Sequence, residues 1–231
     1  MMQETINRQI IITGFLFIFV VLIFEFTNFD IDFQKFFYNF ENKTWFISKD
    51  EVIADLIFYS GFKKLFIGFS ILVVLITIFS FFKKIIFFQE YKKGLLILSL
   101  SLILVPSLSG LKSITNVPCP TNIIEFGGNS IDVKILESYP KDYIQESKHR
   151  CWPAGHATMG FSLMALYFLF KTQRNRNIAL GVGITIGILT GGYKILIGDH
   201  FLSHTLVTML AVWLVILLIV KLVNKIKKLE D

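Results

Sequence analysis

Two short stretches carry the residues able to do chemistry. One is Arg150-Cys151-Trp152-Pro153-Ala154-Gly155-His156, and the other runs from Lys194 to His204 as KILIGDHFLSH. Each sets a histidine at the edge of a long apolar run, a costly place for a polar group and therefore a functional candidate. Lys112, at the end of a third apolar run, joins them. Phosphoryl transfer needs cations around the phosphoryl oxygens, a nucleophile, and an acid for the leaving oxygen. Lys112, Arg150 and Lys194 are candidates for the first need, and His200 and His156 can supply the other two. Pro153 to His156 lies where loop turns to helix; the free N–H groups and the dipole of a helix N-terminus favour an anion there. Gly155 permits close approach of the backbone. Blander readings exist for each feature. A lysine at a span end is often a snorkelling anchor, and a first-turn histidine can be incidental to a helix cap. His200 and His204 share a face if their segment is helical, a relation that a turn at Gly198 would weaken. Their spacing also resembles that of metal ligands, but Phe201 stands where H-E-x-x-H places its glutamate. No carboxylate cluster suggests a Mg²⁺ site.

The elements that must position these residues are apolar helices. Of the 231 residues 54% are hydrophobic and 17% charged, with 25 Phe; a soluble domain of this length is less apolar. The charges gather between long apolar runs, which is the pattern of an all-α polytopic membrane protein. Six transmembrane helices are predicted, at about 10–26, 65–82, 94–111, 156–170, 178–197 and 203–220, within one membrane domain covering 1–231. Gly181, Gly183, Gly187, Gly191 and Gly192 in the fifth suit close helix packing in a bilayer. Residues 27–64 are mixed in charge and aromatic-rich, and read equally as an interfacial segment or as an ordinary connecting loop. Residues 113–154 form a long polar loop with Pro118, Pro120, Gly127, Gly128 and Pro140, where irregular structure is expected. The net charge of +6 does not point to nucleic acid, because the cations sit in short loops between spans. Arg8, Lys83, Lys84, Lys92, Lys93, Lys171, Arg174, Arg176 and the C-terminal lysines Lys221, Lys225, Lys227 and Lys228 fall on one side of the six-span plan. The positive-inside rule makes that side cytoplasmic. Both histidine segments, Lys112 and the 113–154 loop then share the external face. The two cysteines of the chain, Cys119 and Cys151, both lie in that loop, where an oxidising compartment would favour a disulfide between them.

In this order and spacing the segments resemble the three signature motifs of the type 2 phosphatidic acid phosphatase (PAP2) superfamily, K-x6-R-P, P-S-G-H and S-R-x5-H-x3-D. The first reads here as Lys112-x6-Cys119-Pro120, the second as Pro153-Ala154-Gly155-His156, and the third as Tyr193-Lys194-x5-His200-x3-His204. The resemblance covers about residues 60–222 and implies a PAP2/haloperoxidase-like helical bundle. It also implies roles. His200 would attack phosphorus and form a phosphohistidine, and His156 would protonate the leaving oxygen. Lys112, Lys194 and the backbone N–H groups of Ala154 and Gly155 would hold phosphate, with no metal or other cofactor. The departures are specific. Cys119 stands in place of an Arg, whose bidentate grip a thiol cannot replace, and Arg150 is the nearest candidate substitute. Lys194 keeps a charge but loses the guanidinium fork. Ala154 lacks a hydroxyl, and His204 replaces the Asp that orients the nucleophile.

The expected function is a lipid phosphatase or phosphotransferase at the external leaflet of a bacterial-type inner membrane. The bilayer and a membrane lipid phosphate are its partners. Candidate substrates are undecaprenyl pyrophosphate, a lipid A phosphate, phosphatidylglycerol phosphate and phosphatidic acid, and the residues do not choose among them. Three other readings stand beside it: an inactive relative that still binds lipid phosphate, a metal-dependent membrane hydrolase using His200 and His204, and a transporter or lipid-binding protein. Oligomeric state is not legible.

Overall fold

The computed structural model describes residues 2–82, 89–145 and 147–226. The chain is 71% helical. Within a bilayer only helices or closed barrels satisfy their own backbone groups, and the long apolar runs here take the first course. Helix α1 covers Met2–Phe26. A short helix α2, Phe29–Gln34, leads to a two-stranded hairpin of β1, Tyr38–Asn39, and β2, Thr44–Trp45. Helix α3 runs Val52–Phe82 and contains a π-helical turn at Leu56–Ser60. Helix α4, Lys92–Ser107, continues through a tighter turn at Leu108–Leu111 into Lys112–Thr115. Helix α5 is Gly155–Ser162 and winds on as a 3₁₀ helix over Leu163–Phe168. Helices α6, Gln173–Leu196, and α7, Leu202–Val223, complete the bundle.

Five of these segments are long and apolar enough to cross a membrane: α1, α3, α4 with its extension, α6 and α7. The predicted span 156–170 is the exception. It is α-helical only to Ser162, and its eight α and six 3₁₀ residues reach about 24 Å at ~1.5 and ~2.0 Å per residue, short of the ~30 Å hydrocarbon core. The second predicted span is corrected at its start. Residues 52–64 are helical rather than loop and extend α3 beyond 65–82.

Helices α4, α5, α6 and α7 form the centre, with α1 laid along α7 and α3 along α4. Their core is apolar, built around Leu98, Val105, Phe161, Met164, Val212 and Ile216. Helix α5 meets α6 backbone to backbone: a Cβ on Gly160 would lie 2.7 Å from the Cα of Gly187. Small residues are what allow such contact where lipid supplies no hydrophobic drive between helices. Outward-facing Phe15, Leu72, Phe79 and Ile188 are exposed, as lipid-facing residues are.

The two ends of the bundle differ. At one, the start of α1, the start of α4, the loop before α6 and the end of α7 surround a cavity lined by Gln9, Lys93, Lys171, Arg176 and Asn224. Lys171 pairs there with Glu90. Of the basic residues assigned to this side, Lys83, Lys84, Lys227 and Lys228 lie outside the described residues. The motif segments occupy the opposite end. The aromatic stretch after α1 lies there too, and part of it packs onto the rest of the protein. Tyr38, Trp45, Ile123, Phe126 and Phe201 form a second apolar cluster, which seats the hairpin on the turn between α6 and α7.

Candidate active site

Helix α6 ends in a glycine cap. Gly198 takes a left-handed φ of +74°, and the N–H groups of Asp199 and His200 both donate to the Lys194 carbonyl, at 2.8 and 3.1 Å. This is how helices commonly close their last turn. It fixes the interval between Lys194 and His200. Phe201 then serves as the N-cap residue of α7, so His200 lies just before that helix and His204 in its first turn. The helix is interrupted at Gly198, yet the rings of His200 and His204 still meet. Their Nδ1 atoms are 3.5 Å apart, and both side chains are buried.

A second segment turns in from the polar loop. Cys119 and Cys151 are joined by a disulfide with a Cα–Cα distance of 5.3 Å. The Cys151 N–H donates to the Val117 carbonyl, and the Thr115 hydroxyl to the Trp152 carbonyl. These links set the start of α5 beside the end of α4. Lys112 reaches across the gap: a Cβ on Gly155 would sit 3.2 Å from both Cε and Nζ of Lys112. Its ammonium therefore lies over the N-terminus of α5, where the first N–H groups have no partner within the helix. Glycine at 155 is what leaves room for it.

One backbone donor differs from expectation. The Ala154 N–H donates to the Thr208 hydroxyl at 2.9 Å, and that hydroxyl donates to the His204 carbonyl at 2.5 Å. Ala154 is thus taken up in tying α5 to α7 and is not a free phosphate donor. The first-turn N–H groups of Gly155, His156 and Ala157 remain for that role. Arg150 stands apart from the buried residues. It is exposed, whereas Lys194, His200 and His204 are buried. The loop reverses toward Asn116 just before it, as the His149 N–H donates to the Asn116 side chain.

Lys194 is buried, at 7% exposure, and does not stand alone. Its ammonium contacts Asp199 at 3.0 Å, and Asp199 also binds Lys49 at 2.5 Å. Burial works against ionisation of Asp199, but the Lys49 hydrogen bond and Lys194 outweigh it and hold the carboxyl below its usual range. Burial, then the nearby Lys112, pushes His200 well below the ordinary histidine value. A depressed basicity keeps the imidazole neutral at pH 7, the form that carries a free lone pair. With the shared proton between the Nδ1 atoms placed on His200, its Nε2 is that free atom. The Cys151 backbone is hydrogen-bonded to the His204 ring and takes that ring's own N–H. Among the described residues no group of three His, Cys, Asp or Glu side chains could hold a metal ion.

The structure therefore brings together Lys112, Gly155, His156, Lys194, His200 and His204. Sequence reasoning missed Asp199, Lys49, Thr208 and Tyr59. Asp199 was adjacent to His200 and charged inside an apolar run, a signal that could have been used. Lys49 and Tyr59 had none, because they arrive from far along the chain.

Buried imidazoles thus lie beside ammonium groups at one end of the helical bundle. A family model described as PAP2 superfamily matches residues 94–228. That is more than half of the chain and contains all three motif segments, and the protein belongs to the PAP2 superfamily, whose members are generally phosphatases. No curated protein and no solved structure matches it.

Proposed function

We propose that the protein is a metal-independent lipid phosphatase or phosphotransferase acting by a phosphohistidine. The observation that carries this reading is the placement of neutral, buried His200 among Lys112, Lys194 and His156, with Lys112 poised over the free N-terminus of α5. Burial, then Lys194 and Lys112, push His156 down to about 4, so it takes up a proton as the phosphate anion enters and offsets those cations. In the first step Nε2 of His200 then bonds to phosphorus while the bond to the lipid oxygen breaks, and the His156 imidazolium gives that oxygen its proton. In the second, water attacks the phosphohistidine, His156 takes a proton from the water, and phosphate leaves. Lys112, Lys194 and the first-turn N–H groups of α5 stabilise the charge on the phosphoryl oxygens, in a site dry enough to strengthen each contact. A lipid phosphate or pyrophosphate fits a site at the end of an apolar bundle, and the positive-inside pattern supports the external leaflet of the plasma membrane for that end.

Phosphate release from a panel of lipid phosphates in EDTA tests the chemistry. Retained activity supports it, chelator-sensitive activity favours a metal-dependent hydrolase built on His200 and His204, and no release on any lipid overturns it. The face is read separately with cysteines placed at Asn129 and Gln173, both exposed. Labelling of position 129 but not 173 from outside is expected, and the reverse pattern removes the external assignment.

A further inference from the structure

Tyr59 comes from outside the family match, and its ring stands between two residues of the proposed site. The ring centroid lies 4.3 Å from that of His156, and the Lys194 ammonium sits 3.9 Å from it on a cation–π contact. The local sequence explains how it gets there. Helix α3 is π-wound over Leu56–Ser60, and the turn closes with the Gly61 N–H on the Leu56 carbonyl. A Cβ at 61 would collide with that same carbonyl, so glycine permits the extra residue in the turn. A π turn shifts the helix face by one position and is often found at functional sites. Next to it, Phe58 stacks on Tyr193 at 5.7 Å, which docks the turn against α6 beside Lys194.

We propose that Tyr59 is a positioning residue, which holds Lys194 and His156 at a fixed separation across the phosphate site. This rests on the phosphatase reading. It also answers one departure from the family pattern. A lysine at 194 has a flexible stem and a point charge where an arginine would bring a rigid fork. Asp199 restrains that ammonium only while no phosphate is bound, since an incoming phosphate competes for the same cation. The ring of Tyr59 is uncharged and does not compete, so it keeps Lys194 in place as its anionic partner is exchanged.

The test is a double-mutant cycle read by binding of inorganic phosphate to the full-length protein in detergent, with turnover of a lipid phosphate measured alongside. Tyr59→Phe keeps the π face and is expected to bind phosphate as wild type does. Tyr59→Leu is expected to weaken binding about tenfold, the size for a cation held over a partly desolvated ring. In a Lys194→Met background the same change is expected to cost less than about twofold, because the cation it acts through is gone. Should the leucine protein fail to fold, Tyr59→Met fills similar space without a π face and gives the same comparison. Equal affinities for the Tyr and Leu proteins, or an equal loss in both backgrounds, overturn the proposal, as does wild-type protein that binds no phosphate. Wild type that binds phosphate yet releases none from any lipid removes the phosphatase reading alone, since the cycle is still read from affinity.

Discussion

Residues 94–228 supply Lys112, His156, Lys194, His200 and His204, and residues 28–61 supply Asp30, Gln34, Lys49 and Tyr59. In the proposed mechanism the first set attacks, protonates and binds. The second set grips the turn between α6 and α7 and the residues beside it. Gln34 donates to the Ile195 carbonyl at 2.9 Å, across 161 residues of sequence. Asp30 accepts from the Ser203 N–H at 2.9 Å, across 173. The Ile47 N–H reaches the Leu196 carbonyl at 3.4 Å, Lys49 clips Asp199, and Trp45 covers Gly198. A histidine nucleophile on a tight turn needs such support, because a site displaced by about 1 Å can lose 10²-fold in rate. The comparison separates chemistry from its scaffolding, and each side breaks differently.

The largest effect belongs to the chemical side. His200→Ala is expected to remove at least about 10⁴-fold of turnover, as loss of a nucleophile does, while thermal unfolding changes little by comparison. Activity within tenfold of wild type would take His200 out of the mechanism. Next comes the disulfide, which closes a loop with a sequence separation of 32 and ties the first motif segment to the second. Reduction should cost roughly 3–4 kcal/mol in the chain-entropy model, read as a lower melting temperature and a lower kcat. Two titratable thiols in denatured, unreduced protein would contradict the bond itself.

A smaller effect tests the histidine pair. His200 must be neutral to attack, and its depressed basicity places the acid limb of the wild-type pH–rate profile below about 6.5. Activity is present above that limb and lost as pH falls through it. His204→Asp sets an anion beside His200, which favours the imidazolium, so substantial activity should remain with the acid limb moved to higher pH. Coincident acid limbs in two active enzymes would show that residue 204 does not act on His200.

The smallest effect lies on the supporting side. The Asp30 carboxylate bonds the Ser203 N–H at the head of α7, and burial raises its pKa to about 6. Asp30→Ala removes the acceptor and should cost about 1–2 kcal/mol. Asp30→Asn keeps an acceptor and discards a buried charge, so at pH 8, where the native carboxyl is ionised, it should match wild type or exceed it. Melting curves of both variants decide this, and equal losses would mean that charge rather than the hydrogen bond secures α7.

The same division explains what could be read from the sequence. Apolar runs announced the helices because a bilayer demands about 20 consecutive apolar residues whatever they pack against. The motif residues were legible because their geometry is local: Gly198 and the α6 cap fix the Lys194–His200 interval, and Phe201 starts α7 so that His204 falls beneath His200. Ala154 was misjudged because its N–H partner, Thr208, sits 54 positions away. The early start of α3 was obscured by Asp55, Lys63 and Lys64, which interrupt its apolar pattern without ending the helix. The aromatic stretch 38–46 looked suited to a membrane interface for a sound reason, its composition. What it covers is Gly198 and Phe201, and no local rule couples those positions.

Helix α5 with its 3₁₀ continuation is short, and it is enclosed by longer neighbours: Ala157, Phe161, Met164 and Ala165 are all buried. Where a protein's apolar height and a bilayer's thickness disagree, the cost falls on the surface that meets lipid, at fractions of a kcal/mol per Å. That surface belongs to residues such as Phe15, Leu72, Phe79 and Ile188 of α1, α3 and α6. The first turn of α5, where Lys112 lies over Gly155, is therefore sheltered from changes in membrane thickness by the helices around it.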